Sequence, residues 1–138
     1  MHVRRTLLLA PAALLCLAGC GPPKAQTPGH YAVKGTADCL RKSGLKVVPT
    51  APPDDLVAQS APAGTLRSSL HGKRFLVLFG NTQDDSKLEM EGYRRAAPSP
   101  RARRRLGSLL DLEGNALVYW ATEPTAAQAD AVRGCLRS

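Results

Sequence analysis

Two pairs of adjacent acids are the residues best placed to do chemistry in this 138-residue chain. They are Asp54-Asp55 and Asp84-Asp85, and adjacent carboxylates can bind a cation or share a proton. Each pair also stands where the sequence predicts the beginning of a helix, and negative charge is favourable near a helix N-terminus. We therefore predict that both pairs serve the helix ends and that neither is catalytic.

The patterns of nucleophilic and metal chemistry are missing from the sequence. Nucleophilic catalysis needs a nucleophile, a base and a group that orients the base, but no serine stands in a Gly-x-Ser-x-Gly turn. His71 is the one histidine that falls within the predicted folded domain, and we expect it in an exposed turn. Histidine, cysteine and carboxylate residues nowhere have the spacing of metal ligands. The sequence therefore predicts neither a catalytic group nor a metal or other cofactor.

The first 20 residues have the order of an export signal. Arg4 and Arg5 form a basic start, and an apolar run follows over residues 6–17. That run is too short to cross a hydrocarbon core, which needs about 20 apolar residues in a helix. Small residues then precede a cysteine in Leu17-Ala18-Gly19-Cys20, which resembles the lipobox of bacterial lipoproteins.

This resemblance implies a covalent lipid anchor on Cys20. It implies cleavage between Gly19 and Cys20 and a diacylglycerol thioether on Cys20, which becomes the mature N-terminus. Two acyl chains hold a protein firmly, because each buried methylene contributes about 0.8 kcal/mol. The expected location is the extracytoplasmic face of a cell membrane, or a periplasmic leaflet in a cell with two membranes. The alternatives are an ordinary secretory signal and an uncleaved anchor.

The chain divides into three parts. Residues 1–19 form the predicted signal peptide, which would remove Cys16, and residues 20–33 form the lipidated cysteine and a tether. The tether is rich in proline, glycine and polar residues and has no apolar period. Residues 34–138 form a single predicted domain with few aromatic residues, so its core must consist mainly of leucine, valine and alanine.

The two cysteines of that domain, Cys39 and Cys135, each fall on a predicted helix. In an exported protein an even pair of cysteines favours a disulfide. The chain-entropy model assigns about 4–5 kcal/mol to the closure of so long a loop. Two buried free thiols are the alternative.

The order of predicted elements indicates an α+β domain. In chain order they are a helix at 36–44, a strand at 45–48, a loop at 50–72, a strand at 74–80, a helix at 82–97, an ambiguous segment at 106–112, a strand at 116–121 and a helix at 125–136. If residues 31–34 add an edge strand, the result is a small sandwich of the ferredoxin-like type. It would have three or four strands, helices packed on the sheet and an extra C-terminal helix.

One segment is strongly basic in a chain of net charge +8. Its six arginines fall within twelve residues and are Arg94, Arg95, Arg101, Arg103, Arg104 and Arg105. Phosphates of a nucleic acid could attract them, but no aromatic residues are interleaved, and an exported domain does not meet nucleic acid. Anionic lipid headgroups or an anionic wall polymer are better partners, at about 1 kcal/mol per basic residue. A solvated loop is the alternative.

Together these features predict a lipid-anchored, non-enzymatic module that binds an unidentified protein partner at the membrane surface. The alternative is a small hydrolase of the cell envelope, or an inhibitor of one. A hydrolase would require the two acid pairs and His71 to meet in one cleft with perturbed pKa values.

Overall fold

The computed structural model describes residues 29–138, so the signal peptide, Cys20 and the tether up to residue 28 lie outside it. Its helices are α1 (Val33–Lys42), α2 (Leu56–Gln59), α3 (Gln83–Ala96), α4 (Pro100–Arg105) and α5 (Ala126–Leu136). Its strands are β1 (Gly64–Leu70), β2 (Lys73–Phe79), β3 (Leu110–Glu113) and β4 (Ala116–Trp120). Within residues 29–138 no helix combines the length and the apolar character that a bilayer crossing requires.

The four strands form one sheet in the order β1-β2-β4-β3, and all neighbouring strands are antiparallel. Because β2 and β3 both run opposite to β4, they are parallel to each other. Helix α3 joins them while β4 lies between, which is a split β-α-β unit. The predicted α+β class is confirmed, with a four-stranded sheet and a C-terminal helix.

The expected edge strand at residues 31–34 is wrong, because helix α1 begins at Val33. The side chain of Asn115 accepts a hydrogen bond from the Tyr31 N–H and donates one to the Tyr31 carbonyl. These bonds satisfy the backbone groups that a neighbouring strand would otherwise pair. Residue 31 is therefore held without joining the sheet, whose two edge strands are β1 and β3.

Strand β1 arises within the segment predicted as a loop. It pairs with β2 through the turn at His71 and Gly72, whose φ angles are 48° and 79°. Positive φ at both central residues is typical of the two-residue hairpin turns that match strand twist. The predicted strand at 45–48 is reduced to a single bridge between Val48 and Arg67.

Helices α1 and α5 cover one face of the sheet. Alternate residues of β2 and β4 point to this face, and Phe75 packs on Trp120 with a ring-centroid distance of 4.9 Å. Leu40 of α1 and Leu136 of α5 close the core from above. The Sγ atoms of Cys39 and Cys135 lie at the bonding distance of 2.03 Å, which is compatible with the predicted disulfide between these helices.

Helices α2 and α3 cover the other face. Leu78 and Leu117 of the sheet pack there, and Tyr93 of α3 stacks on Tyr119 at a centroid distance of 4.7 Å. A Cβ atom on Gly92 would stand 3.3 Å from two methyl carbons of Val57. Glycine at position 92 therefore lets the short helix α2 lie close against α3.

Candidate binding groove

Three of the four predicted acids act at helix ends. Asp55 accepts a hydrogen bond from the Ala58 N–H, at 2.9 Å, and thereby caps α2. Asp85 accepts from the Thr82 N–H, at 2.9 Å, and completes a capping box at the start of α3. Asp84 lies in the same first turn and pairs with Lys87. The expected role of these acids is confirmed.

The five residues of the hydrolase hypothesis do not meet in one cleft. His71 is exposed in the β1–β2 turn, whereas Asp54 is exposed ahead of α2. Asp84 and Asp85 lie at the other end of the α2/α3 face, beside the end of β2. The structure thus lacks the arrangement on which that hypothesis depended.

The arginine-rich segment is helical at both its ends. Ser99 caps α4 and Pro100 occupies its first turn. Two of the arginines have partners, since Arg94 pairs with Glu91 and the Arg103 Nε donates to the Arg94 carbonyl at 3.0 Å. Four arginines are exposed, and their side chains make no ion pair or hydrogen bond within residues 29–138: Arg95, Arg101, Arg104 and Arg105. The segment is therefore a well-defined cationic end of the domain.

A groove of about 380 Å³ lies between α2 and α3. Leu56 and Val57 line it from α2, and Leu88, Glu89 and Gly92 line it from α3. Leu56 is 79% exposed and Leu88 is 64% exposed, and in the described part of the chain they are the exposed large apolar side chains. Two leucines that are otherwise expected in a core thus stand in solvent on opposite walls of one groove.

Glu89 is the anomalous residue of this groove. Its side chain is 6% exposed, and neither carboxyl oxygen has a hydrogen-bond partner in the part of the chain that the structure describes. Burial raises the pKa of Glu89 to about 7, and the neighbouring charge of Asp85 adds to the shift. The buried hydroxyl of Ser86, one turn earlier, is also without a partner among these residues.

Helical periodicity does not single out Glu89. The apolar spacing in this segment groups Leu88 with Gly92 and Tyr93 and so favours a buried Leu88, but the buried side chains of α3 are Ser86, Glu89 and Tyr93. The stack of Tyr93 on Tyr119 and the contact of Gly92 with Val57 fix this rotation. The signal available in the sequence was the i, i+3, i+7 spacing of Ser86, Glu89 and Tyr93, with Tyr93 as the aromatic anchor.

A second cavity, of about 700 Å³, opens beyond the C-terminal half of α3. Leu76 and the two tyrosines of the stacked pair line it, and Arg67 and Arg74 stand at its side. The Tyr93 hydroxyl donates to Asp55 at 2.8 Å. Burial, followed by this hydrogen bond, raises the pKa of Tyr93, so the hydroxyl stays protonated. The Tyr93 hydroxyl and the Asp55 carboxylate are therefore engaged with each other.

The α2–α3 groove combines exposed apolar surface on two walls with an acid that has no hydrogen-bond partner among the described residues. Residues 29–138 hold no cluster of three side chains able to bind a metal ion. A scan against protein-family models finds no match for the chain, and searches of curated proteins and of solved structures find none either.

Proposed function

We propose that this protein is a lipid-anchored binding module that engages a protein partner through its α2–α3 groove at the outer side of a membrane. The exposure of Leu56 and Leu88 across one groove is the observation that carries the proposal. Burial of apolar surface contributes about 25 cal/mol per Å². The two exposed leucines therefore represent a favourable free energy that the isolated domain does not gain. A partner that covers both would gain this free energy.

The unpaired acid supports binding rather than a purely structural role. A buried polar group without a partner costs about 1–3 kcal/mol, and more when it is charged. The domain carries this cost at Glu89, whereas an apolar residue at that position would remove it. Such a cost is typical of positions kept for function at the expense of stability.

The proposed lipid on Cys20 would hold the domain near the membrane through the tether. Residues 20–28, fully extended, would span at most about 30 Å. The described chain begins at Gly29, whose carbonyl accepts a hydrogen bond from the Asn115 N–H at the β3–β4 turn. Helix α4 leads instead into the start of β3, at the opposite end of that strand. Gly29, where the tether would join the domain, and helix α4 therefore lie at opposite ends of β3.

Contact between α4 and an anionic lipid surface would be a second attachment beside the lipid. Vesicle pelleting of an unlipidated Cys20→Ala chain tests for this contact. We expect more pelleting with anionic vesicles than with neutral ones at low salt, and loss of the difference when Arg101, Arg104 and Arg105 are all changed to glutamine. Equal pelleting with both vesicle types would remove the lipid contact from the proposal.

Anchoring itself is tested by fractionation of the cells that make the protein. The wild type should sediment with membranes, whereas Cys20→Ala should be released into the soluble exported fraction. A Cys20→Ala protein that stays with the membrane after a high-salt wash would contradict the lipid anchor, because the arginine contacts are screened under those conditions.

The groove is tested by site-specific photo-cross-linking in the same cells. A photoreactive residue at Ser60, which lines the groove, should yield one discrete cross-linked protein. The same residue at Ala127, exposed on α5, is the control and should not yield that band. Adding Leu88→Asp to the Ser60 probe should abolish the product, because an aspartate cannot be covered by an apolar partner surface. A band that survives Leu88→Asp would contradict the groove as the binding surface.

A further inference from the structure

We propose that the partner places a basic side chain, carried between apolar residues, in the α2–α3 groove, where its positive charge stabilises the ionised Glu89 carboxylate. This inference rests on the proposed function and adds the chemistry of the contact. The apolar flanks would cover Leu56 and Leu88, and the ammonium or guanidinium group would lie in the groove beside Glu89 and Asp85.

The argument begins with the carboxyl oxygens. Both are shielded from water and, within residues 29–138, neither has a donor. The hydroxyl of Ser86 does not bond to Glu89 although it is also buried and unpaired. A carboxylate in such surroundings is stabilised by a positive charge nearby, because an opposite charge within about 4–6 Å favours the ionised carboxyl.

The charges around the groove give the basic side chain a preferred position. Helix α2 carries no ionisable residue, so the charged groups that line the groove come from α3. Asp85 lies one turn before Glu89 and adds a second negative charge at that end. Arg95 lies six residues after Glu89, about 9 Å farther along the helix axis, and pairs with neither acid in the described residues. A cation is therefore favoured at the Asp85 end of the groove and disfavoured at the Arg95 end.

The other two acids near the groove already accept hydrogen bonds. Asp55 is held by the Tyr93 hydroxyl and by the α2 backbone. Asp85 accepts a hydrogen bond from the Thr82 backbone. Of these three acids, Glu89 is the one without a hydrogen-bond partner within residues 29–138, so it has the most to gain from a nearby cation.

The pH dependence of binding follows from the state of Glu89. Its pKa of about 7 means that a large fraction of the free protein holds a neutral acid at neutral pH. A cation binds the ionised form better, so the proposed contact should strengthen as the pH rises through 7. The bound cation should in turn lower the pKa of Glu89, since an opposite charge favours the ionised carboxyl.

Two peptides that differ in one group test the inference. The first is a nine-residue acetylated and amidated peptide with a central lysine between leucines, and the second carries norleucine in place of the lysine. Titration into the mature chain carrying Cys20→Ala is followed by NMR shifts of α2 and α3 amides at low salt. At pH 8 we expect the lysine peptide to bind about tenfold more tightly, which corresponds to about 1.4 kcal/mol. At pH 5 the difference should largely disappear.

Two glutamate variants control for overall charge. Glu89→Gln should abolish the preference for lysine at both pH values, whereas Glu123→Gln, which removes an exposed carboxylate elsewhere, should preserve it. Equal affinities at pH 8, a preference that survives Glu89→Gln, or no binding of either peptide at millimolar concentration would overturn the inference. Equal binding of both peptides with an intact photo-cross-link would leave the groove as a binding surface and reject only the basic side chain.

Discussion

Within residues 29–138 the α1/α5 face of the sheet, the closed face, holds the larger buried core, whereas the α2/α3 face, the open face, carries the two cavities described above and an acid without a hydrogen-bond partner. The first face buries Trp120, Phe75 and Phe79 almost completely. The second buries fewer side chains and leaves Leu56 and Leu88 in solvent. Both helical layers rest on the same strands, and the alternate side chains of those strands supply the two different cores.

The two faces also differ in how their charged side chains are paired. At the β3 edge of the α1/α5 face, the Arg133 Nε lies 2.8 Å from Asp111 and 3.2 Å from Glu113, and Arg137 lies 3.0 Å from the second oxygen of Glu113. The hydrogen bond to Asp111 is the main reason why the pKa of Arg133 is raised. Glu89 on the other face has no such partner in the described residues. We infer that one face stabilises the domain and the other serves binding.

The largest expected contrast comes from the same substitution on the two faces. Leu40 of α1 is 1% exposed, and Leu40→Ala should lower the free energy of unfolding by about 2–5 kcal/mol through lost burial and a cavity. Leu88→Ala on α3 should change it by less than about 0.5 kcal/mol. Urea titration of both variants measures the two values. Equal losses would show that Leu88 packs in the core, which would break the comparison.

The proposed disulfide should contribute next most to the closed face. The double variant Cys39→Ser, Cys135→Ser should lose about 2–5 kcal/mol of unfolding free energy, because the unfolded chain gains freedom. Intact mass measured without reductant should be two hydrogens below that of the reduced wild type. Two thiols that alkylate freely in the native protein would contradict the bond.

A smaller effect is expected from Glu89 on the open face, and its size depends on pH. The folded-state pKa of Glu89 is raised to about 7 from the ordinary 4.5, so the folded protein keeps a proton that the unfolded chain releases. The stability linked to this group is full below about pH 4.5, falls as the pH rises toward 7 and stays low above 7. Between pH 4.5 and 8, the free energy of unfolding of the wild type should fall by about 1–3 kcal/mol relative to that of Glu89→Gln.

Chemical denaturation across that pH range measures this difference. Glu123→Gln should follow the wild type at every pH, since its carboxylate is exposed and outside the groove. If the free energies of unfolding of the wild type and of Glu89→Gln change in parallel from pH 4.5 to 8, Glu89 is solvated. The two faces would then differ in shape alone.

Much of the fold was predictable because its signals are local. Thr82 and Asp85 at the start of α3, and Thr125 and Gln128 at the start of α5, form capping boxes that the residue types and spacing indicate directly. The apolar run of β2 likewise predicts a strand covered on both sides. These elements are specified by residues within one or two turns of each other.

The parts that the sequence analysis missed depend on contacts between distant residues. Strand β1 is held by pairing with β2, and its His71-Gly72 turn was a local signal too weak to outweigh the surrounding alanine, proline and serine. The rotation of α3 depends on Tyr119, which lies 26 positions beyond Tyr93 in the sequence. Periodicity alone favours a buried Leu88 over a buried Glu89, so the acid of the groove becomes visible only once the sheet is assembled.

The pKa of Glu89 tests the central claim most directly. In the mature chain carrying Cys20→Ala, NMR detection of the side-chain carboxyl carbon across pH 4 to 9 gives the titration midpoint of this one residue. The account predicts a midpoint of about 7, as expected for an acid that is buried among the described residues without a hydrogen-bond partner. A midpoint near the ordinary value of 4.5 would mean that the carboxylate is already solvated or paired, and would contradict its role in the groove.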